Sequence, residues 1–371
     1  MLNLESIHEE GPGSMESTLN ATVAVHDVSS SSSSGLGDEV EDDVEDHVIM
    51  IIAVTMLVLT AVGVLGNLCI ICIVAMNRSM RNRPNALLAN LAVGDLYILT
   101  ICVPLKMYQL LYFRWPFGWL LCKLSCGAVI VSQAVSIYSM VALSYDRYRA
   151  IVTPMNYPRS RGAGYTLLVI GAIWFAGVVF SIPTVVFSYV AGNDEFSYCN
   201  YSNHASLQGQ LHAILRCLLL FLLPLLVISG YYCLVSRKLI RSTRALPGEV
   251  HDKRSQISSR KRLAYLVLAI VGLFTVCWLP FSVFEVLFQV RPTLVVSTNS
   301  MVYLKLVGDM LAFANSSVNP ILIAVVSSTY RHYIKSFLCC RFRGRKSFKR
   351  PRASTVSSKA SSARTRMTEF A

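Results

Sequence analysis

The sequence predicts an all-α membrane protein, a seven-transmembrane helix bundle with a short amphipathic membrane-surface helix after the last span. Three observations predict it. The 371 residues are 54% hydrophobic and 15% charged, too apolar for a soluble domain whose surface must be wetted. Apolar runs recur near residues 48–76, 84–112, 119–145, 165–190, 210–236, 263–290 and 300–326, and about 20 residues of helix cross a hydrocarbon core about 30 Å thick. Lys and Arg collect on alternate connections between those runs. Helices are the spanning form for such runs, because an unpaired backbone amide in lipid costs several kcal/mol.

The elements follow in order. Residues 1–47 hold no Lys or Arg and are rich in Ser, Glu and Asp, so they are expected to form a disordered acidic leader that buries too little apolar surface to order itself. No apolar core stands behind a basic start in residues 1–30, and the first span is expected to serve as its own insertion signal. The seven-helix bundle occupies 48–327, an amphipathic helix 328–340, and a disordered, basic, Ser/Thr-rich tail 341–371. Arg78, Arg81 and Arg83 lie between the first two spans, and Arg147, Arg149, Arg159 and Arg161 follow the third. From Arg331 onward the only acid is Glu369. This asymmetry puts the N-terminus outside the cell and the tail in the cytoplasm. The net charge of +13 is then explained by anionic membrane lipid rather than by nucleic acid.

On that topology Asn20 and Asn200, each in an Asn-X-Ser/Thr pattern, lie outside and are candidate glycosylation sites. Cys122 at the start of the third span and Cys199 in the long loop before the fifth share the oxidising exterior, so a disulfide is expected between them. Cys339 and Cys340 close the amphipathic stretch Ser328 to Leu338 and suit palmitoylation. The other cysteines of the spans show no metal-like spacing and read as small core hydrophobes.

Polar side chains inside lipid cost roughly 2.5–3.5 kcal/mol when charged, so each needs a reason. Asp95 and Asn67 fall mid-span, as do Ser136 in the third run and Asn315, Ser316 and Asn319 in the seventh. A hydrogen-bonded core network is one reading. One carboxylate among several hydroxyl and amide oxygens also suits a hard cation. Asp146-Arg147-Tyr148 ends the third run, and Phe274-Thr275-Val276-Cys277-Trp278-Leu279-Pro280 crosses the sixth, where proline removes a backbone hydrogen bond and kinks the helix beside an indole.

With these motifs the chain resembles rhodopsin-like G-protein-coupled receptors over roughly residues 48 to 340. The resemblance implies a plasma-membrane receptor, not an enzyme, that couples to a heterotrimeric G protein through Asp146, Arg147 and Tyr148. In the family Asp146 would hold Arg147 at rest. Ile137, Pro224, Tyr232, Phe274, Trp278, Pro280, Asn319 and Pro320 match the activation switch. Asp95, Ser136, Asn315, Ser316 and Asn319 match a pocket for an allosteric sodium ion, and no other cofactor is expected. The Ser and Thr residues of the tail match sites for receptor kinases and arrestin. Leu311 to Pro320, Arg114-Trp115-Pro116-Phe117-Gly118 and Cys122-Lys123-Leu124 resemble the bombesin and endothelin receptor group. Two positions depart from the family pattern. Ile257-Ser258-Ser259-Arg260 lacks the acid that often locks the sixth helix, which implies basal activity. Ile323 stands where the family's Asn-Pro-X-X-Tyr motif has tyrosine.

Val129 replaces the aspartate of amine receptors, and Lys305 lies too far out to hold retinal. The outer halves of the spans offer Lys106, Gln109, Gln133, His212, Arg216, Glu285, Lys305 and Asp309, a mixed-sign set suited to a neuropeptide-like ligand. About half of these are expected to pair with one another or snorkel. The loop from Tyr189 to Gln208 is polar and long enough to form a lid. A receptor for a non-peptide ligand, a constitutively active receptor without a ligand, and a transporter or channel are the alternatives. No internal repeat supports the transporter.

Overall fold

The computed structural model describes residues 37–153, 163–193, 196–201, 206–244, 251–291 and 299–338. Within them are seven helices long and apolar enough to cross a membrane. Helix α1 spans Gly37–Met76, α2 Arg83–Tyr112, α3 Gly118–Val152 and α4 Ala163–Phe187. A hairpin of β1, Ser188–Gly192, and β2, Ser197–Tyr201, follows. Helix α5 runs from Leu207–Cys217 through a π-turn into Leu223–Arg244. Helix α6 is His251–Val290 and α7 Asn299–Val326. The short helix expected after the last span is α8, Ser328–Leu338.

Two expected boundaries move. Helix α1 begins at Gly37, so the final part of the leader expected to be disordered through residue 47 is helical. A helix already nucleated in a span extends cheaply. The fourth span stops at Phe187 rather than near 190, because Ser188 enters the hairpin. Residues 1–36 with Asn20, the pair Cys339 and Cys340, and the tail from 341 lie outside the described residues.

Proline shapes the spans. The π-turns Ile98–Cys102 in α2 and Leu218–Leu222 in α5 stand just before Pro104 and Pro224, whose missing amide hydrogens and bulky rings disturb the preceding turn. The widened turn in α5 leaves the Leu219 carbonyl to accept from Tyr138 of α3 at 3.0 Å. Pro183, Pro280 and Pro320 lie inside α4, α6 and α7.

The core mixes apolar packing with cross-helix hydrogen bonds. Leu87, Leu91, Ile137, Met140, Phe274 and Trp278 are among the side chains sealed in the main cluster. Asn90 of α2 donates to Ser139 Oγ of α3 at 2.9 Å and accepts from the Trp174 indole of α4 at 2.9 Å. Asn67 of α1 donates to the Ser316 carbonyl of α7 at 2.9 Å. Large apolar side chains such as Leu57, Leu65 and Phe175 point outward, the placement required of a surface facing lipid.

Glycine permits the closest helix contact. A Cβ at Gly63 would stand 2.8 Å from Ser317 Cα and 2.7 Å from Leu99 Cδ1, and one at Gly66 would stand 2.7 Å from Pro320 Cγ. Gly63→Leu must therefore push α1 away from α7. We expect the purified receptor to lose about 1–3 kcal/mol of stability, the usual cost of overpacking, measured as a lower unfolding temperature in detergent. An unchanged unfolding temperature would show that α1 and α7 are not packed this way.

Candidate functional site

Polar residues concentrate at both ends of the bundle and at its centre. At the end that carries the hairpin, a disulfide joins Cys122 of α3 to Cys199 of β2, as expected. Closing a loop of this length stabilises a fold by about 2–5 kcal/mol and pins the hairpin across the helix ends. Trp115, Cys126 and the two bridged cysteines form a buried cluster there. Ser197 ties the hairpin further, its Oγ accepting from the Trp115 amide at 2.9 Å and its amide donating to the Phe113 carbonyl at 3.1 Å. Gly192 turns the hairpin at φ 114°, where a Cβ would collide with the Phe196 carbonyl.

Of the eight side chains singled out from the sequence, Lys106, Gln109 and His212 contact the hairpin directly. Lys106 donates to the Cys199 carbonyl at 3.3 Å, and Gln109 Oε1 accepts from the Cys199 amide at the same distance. Four of the five charged side chains pair with one another. Arg216 of α5 meets Glu285 of α6 at 2.8 Å, both largely buried, while Lys305 and Asp309 of α7 meet at 3.4 Å and are more open. The Arg216 contact lacks the in-line geometry of a hydrogen bond, so it is a charge contact with donors left over. Its guanidinium also lies 5.2 Å from the Phe281 ring centre, and Lys305 lies 5.3 Å from that of Phe284. Gln133 is buried on α3 with its Oε1 lacking a hydrogen-bond partner among the described residues.

Three contributors were not singled out from the sequence. Tyr201 of β2 hydrogen-bonds His212 Nδ1 of α5 at 2.5 Å. Burial pushes its hydroxyl up to about 12, Arg216 pulling against that rise, so the phenol stays protonated. Only the hairpin's return over α5 brings this tyrosine to the histidine. Gln289 is sealed on α6 with both amide atoms unpaired among the described residues; an amide in an apolar span, one turn beyond Glu285, was the available signal. Phe281 carries no polar mark and is placed by the fold alone.

From this end an aromatic series runs inward. Phe281 meets Trp278 edge-on with ring centres 5.4 Å apart, Trp278 meets Phe274 at 5.9 Å, and Phe274 stacks on Phe221 at 6.3 Å. Ile137 is buried in the same cluster. Pro280 lies in α6 beside Trp278, and Pro224 follows the α5 π-turn that contains Phe221. Such ring geometries add about 0.5–1.5 kcal/mol each beyond their buried area.

At the centre, Asn319, followed by Pro320 in α7, donates to Asp95 Oδ2 of α2 at 2.9 Å. Ser136, Asn315, Ser316 and Asn319 are all buried, and both amide atoms of Asn315 and the Asn319 Oδ1 lack partners among the described residues. The unpaired Asn319 Oδ1, on a side chain that touches the sealed Asp95 carboxylate, is the kind of oxygen donor that suits a small hard cation such as sodium.

At the opposite end, Asp146 is buried and its carboxylate meets Arg83 of α2 at 3.1 Å. Sequence alone linked Asp146 to its neighbour Arg147, and the structure brings this second cation to the same acid. The Arg83 guanidinium also lies 4.7 Å from the Tyr165 ring centre of α4. Arg147 is buried. Tyr148 and Tyr145 both pack on Tyr231 of α5, at 5.4 and 5.9 Å. Tyr232 donates to the Ala264 carbonyl of α6 at 3.1 Å. Ile323 is buried in an apolar cluster that includes Tyr330 of α8. Asn200 is half-buried in β2, where its Oδ1 accepts from the Tyr201 amide at 2.9 Å.

Residues 66–322 match the seven-transmembrane receptor family, rhodopsin type. The chain is 34% identical over 306 residues to bombesin receptor subtype-3 of Ovis aries, covering 79% of this chain and 76% of that receptor. It is also 34% identical over 349 residues to a bombesin receptor of Bombina orientalis, covering 90% of this chain and 88% of that one.

Truncating one member of the Arg216 and Glu285 pair strands a charge in a poorly solvated site, which costs about 3–5 kcal/mol. Glu285→Gln and Arg216→Gln should each lower the unfolding temperature of the ligand-free protein, and the double variant should lose less than the sum. Strict additivity in that double-mutant cycle would mean that the two side chains do not interact.

Proposed function

This chain belongs to the rhodopsin family of seven-transmembrane receptors, and from that membership we propose that it is a plasma-membrane receptor for an extracellular neuropeptide-like ligand that signals through a heterotrimeric G protein. The relatives reported above are named as bombesin receptors, which supports a peptide. On this reading the hairpin end faces the outside, the Asp146 end and α8 face the cytoplasm, and the basic connections contact anionic lipid. The protein does no chemistry of its own.

One observation carries the reading. The buried Arg216 and Glu285 pair rests on Phe281, the first ring of a series reaching Trp278 and Phe274 beside the Pro280 kink. A peptide bearing backbone amides, a terminus and charged side chains can exchange partners with Arg216, Glu285, Lys305 and Asp309, with Lys106, Gln109, Gln133 and His212 completing the mouth. Such an exchange shifts Phe281, and hence the packing around Trp278, without importing an unpaired charge. At the far end Arg147, with Asp146 and Tyr148, would then meet the G protein. Asp95, Ser136, Asn315, Ser316 and Asn319 would hold a sodium ion whose charge stabilises the resting packing. Receptor kinases and arrestin would act on the tail, Cys339 and Cys340 would carry palmitate, and Asn20 and Asn200 glycans.

The deciding measurement is nucleotide exchange on purified G proteins by the receptor in bilayer discs, challenged with a library of short peptides. A peptide that accelerates exchange, and loses potency with Glu285→Gln or Asp309→Asn, supports the proposal. Activation only by apolar small molecules would favour a non-peptide receptor, and solute flux without exchange a transporter.

Arg83 supplies a further test. If its contact with Asp146 belongs to the resting state, Arg83→Gln should raise ligand-free exchange about fivefold, the effect of losing about 1 kcal/mol of preference. Basal exchange at or below the parent level would remove Arg83 from the resting lock.

A further inference from the structure

The Cys122–Cys199 bridge has a third sulfur beside it. Cys126 lies four residues after Cys122 on α3, on the same helix face, and its Sγ stands 3.6 Å from Cys199 Sγ. The three sulfurs lie within 4.8 Å of one another, and all three residues are buried. Cys126 is a free thiol. A small core hydrophobe would satisfy packing at this position equally well, but it would not place a nucleophile in contact with a disulfide.

We propose that Cys126 is an alternative disulfide partner of Cys199, so that β2 can be anchored to α3 at either of two heights. The conversion is an exchange within the chain. The Cys126 thiolate attacks Cys199 Sγ, the Cys126–Cys199 bond forms, and the Cys122–Cys199 bond breaks. Cys122 leaves as a thiolate and takes up the proton that Cys126 released. Two electrons stay in one disulfide throughout, so no oxidant or reductant is needed. The sulfurs must close from contact distance to a bond length of about 2.05 Å, a motion within the reach of a side-chain rotation and a small shift of the hairpin.

Exchange matters because it changes where the lid is held. The attachment point on α3 moves one helical turn, about 6 Å for four residues at 1.5 Å each, while the hairpin itself shifts only by the small distance the sulfurs must close. The Cys199 backbone carries the contacts to Lys106 and Gln109, and Tyr201 two residues on carries the contact to His212. The two anchorages therefore present two different mouths to whatever enters beneath the hairpin.

The test needs no ligand. Full-length receptor purified from membranes is acid-quenched, alkylated without reduction, digested, and mapped for disulfide-linked peptides by mass spectrometry. We expect the Cys122–Cys199 link together with a fraction of Cys126–Cys199, the latter accompanied by alkylated Cys122. Cys126→Ser should abolish the second link and retain the first. In Cys122→Ser, exchange with a disulfide-donating oxidoreductase during folding should join Cys126 to Cys199, whereas Cys122→Ser with Cys126→Ser should leave Cys199 alkylated. Absence of the Cys126–Cys199 link from the parent chain overturns the proposal, whether or not Cys122→Ser accumulates. Its presence only in Cys122→Ser would also overturn it, since that would be repair of a lesion and not exchange in the native protein.

Discussion

Hydrocarbon offers no hydrogen bonds, so a polar group taken into this bundle is stabilised only where it meets a partner inside it. The arrangement of the helices depends on that constraint. Asn67 reaches the Ser316 carbonyl and Asn319 reaches Asp95, which fixes α1 and α2 against α7. Asn90 satisfies Ser139 and Trp174 at once, which fixes α2, α3 and α4. Apolar packing between helices is nearly neutral relative to packing against lipid tails. The polar contacts therefore select one arrangement among many of similar packing energy, and the glycines at 63 and 66 allow the close approach that brings α1 to α7.

The same constraint explains where the bundle is deformable. A π-turn ahead of Pro224 would strand a carbonyl, and Tyr138 supplies the hydrogen bond it needs. Deformation is thus confined to places where a neighbour repairs it. Trp278 sits in such a place, next to Pro280, with aromatic contacts on both sides but its indole Nε1 unpaired among the described residues. A buried donor without an acceptor costs about 1–3 kcal/mol. An arrangement that gave it an acceptor would recover that amount. On the proposed reading, this is why rearranging the charges around Phe281 can be felt in the core.

Hydropathy made the seven spans and α8 legible, because length and amphipathic period are local properties of a chain. The Cys122–Cys199 bridge was legible from compartment alone. The mouth was legible only in part: Arg216, Glu285, Lys305 and Asp309 stand out as charges in apolar runs, yet nothing in their spacing says that Arg216 meets Glu285 across two helices. Tyr201 reaches His212, and Arg83 reaches Asp146, only after the chain has folded, and neither pair leaves a local pattern. Cys126 reads as one more small hydrophobe until β2 sets Cys199 beside it. The helical start of α1 at Gly37 was hidden by an acidic composition that predicts disorder when each residue is weighed without the span that follows.

The cytoplasmic end, on the proposed orientation, follows from its two departures taken together. The segment Ile257 to Arg260 holds no acid, so an ionic tie from Arg147 to that part of α6 is not available. Ile323 replaces a tyrosine and is buried with Tyr330 among apolar side chains, so α7 is held at this end by packing against α8. Asp146 meets Arg83 in a buried setting, where attraction is stronger than at an open surface. That contact links α3 to α2, two helices already fixed to each other through Asn90 and Ser139. It therefore restrains the Asp146 side chain, while Tyr232 ties α5 to α6 through the Ala264 carbonyl. A single neutral hydrogen bond of this kind contributes about 0.5–1.5 kcal/mol, a modest addition to the packing of α6 against its neighbours.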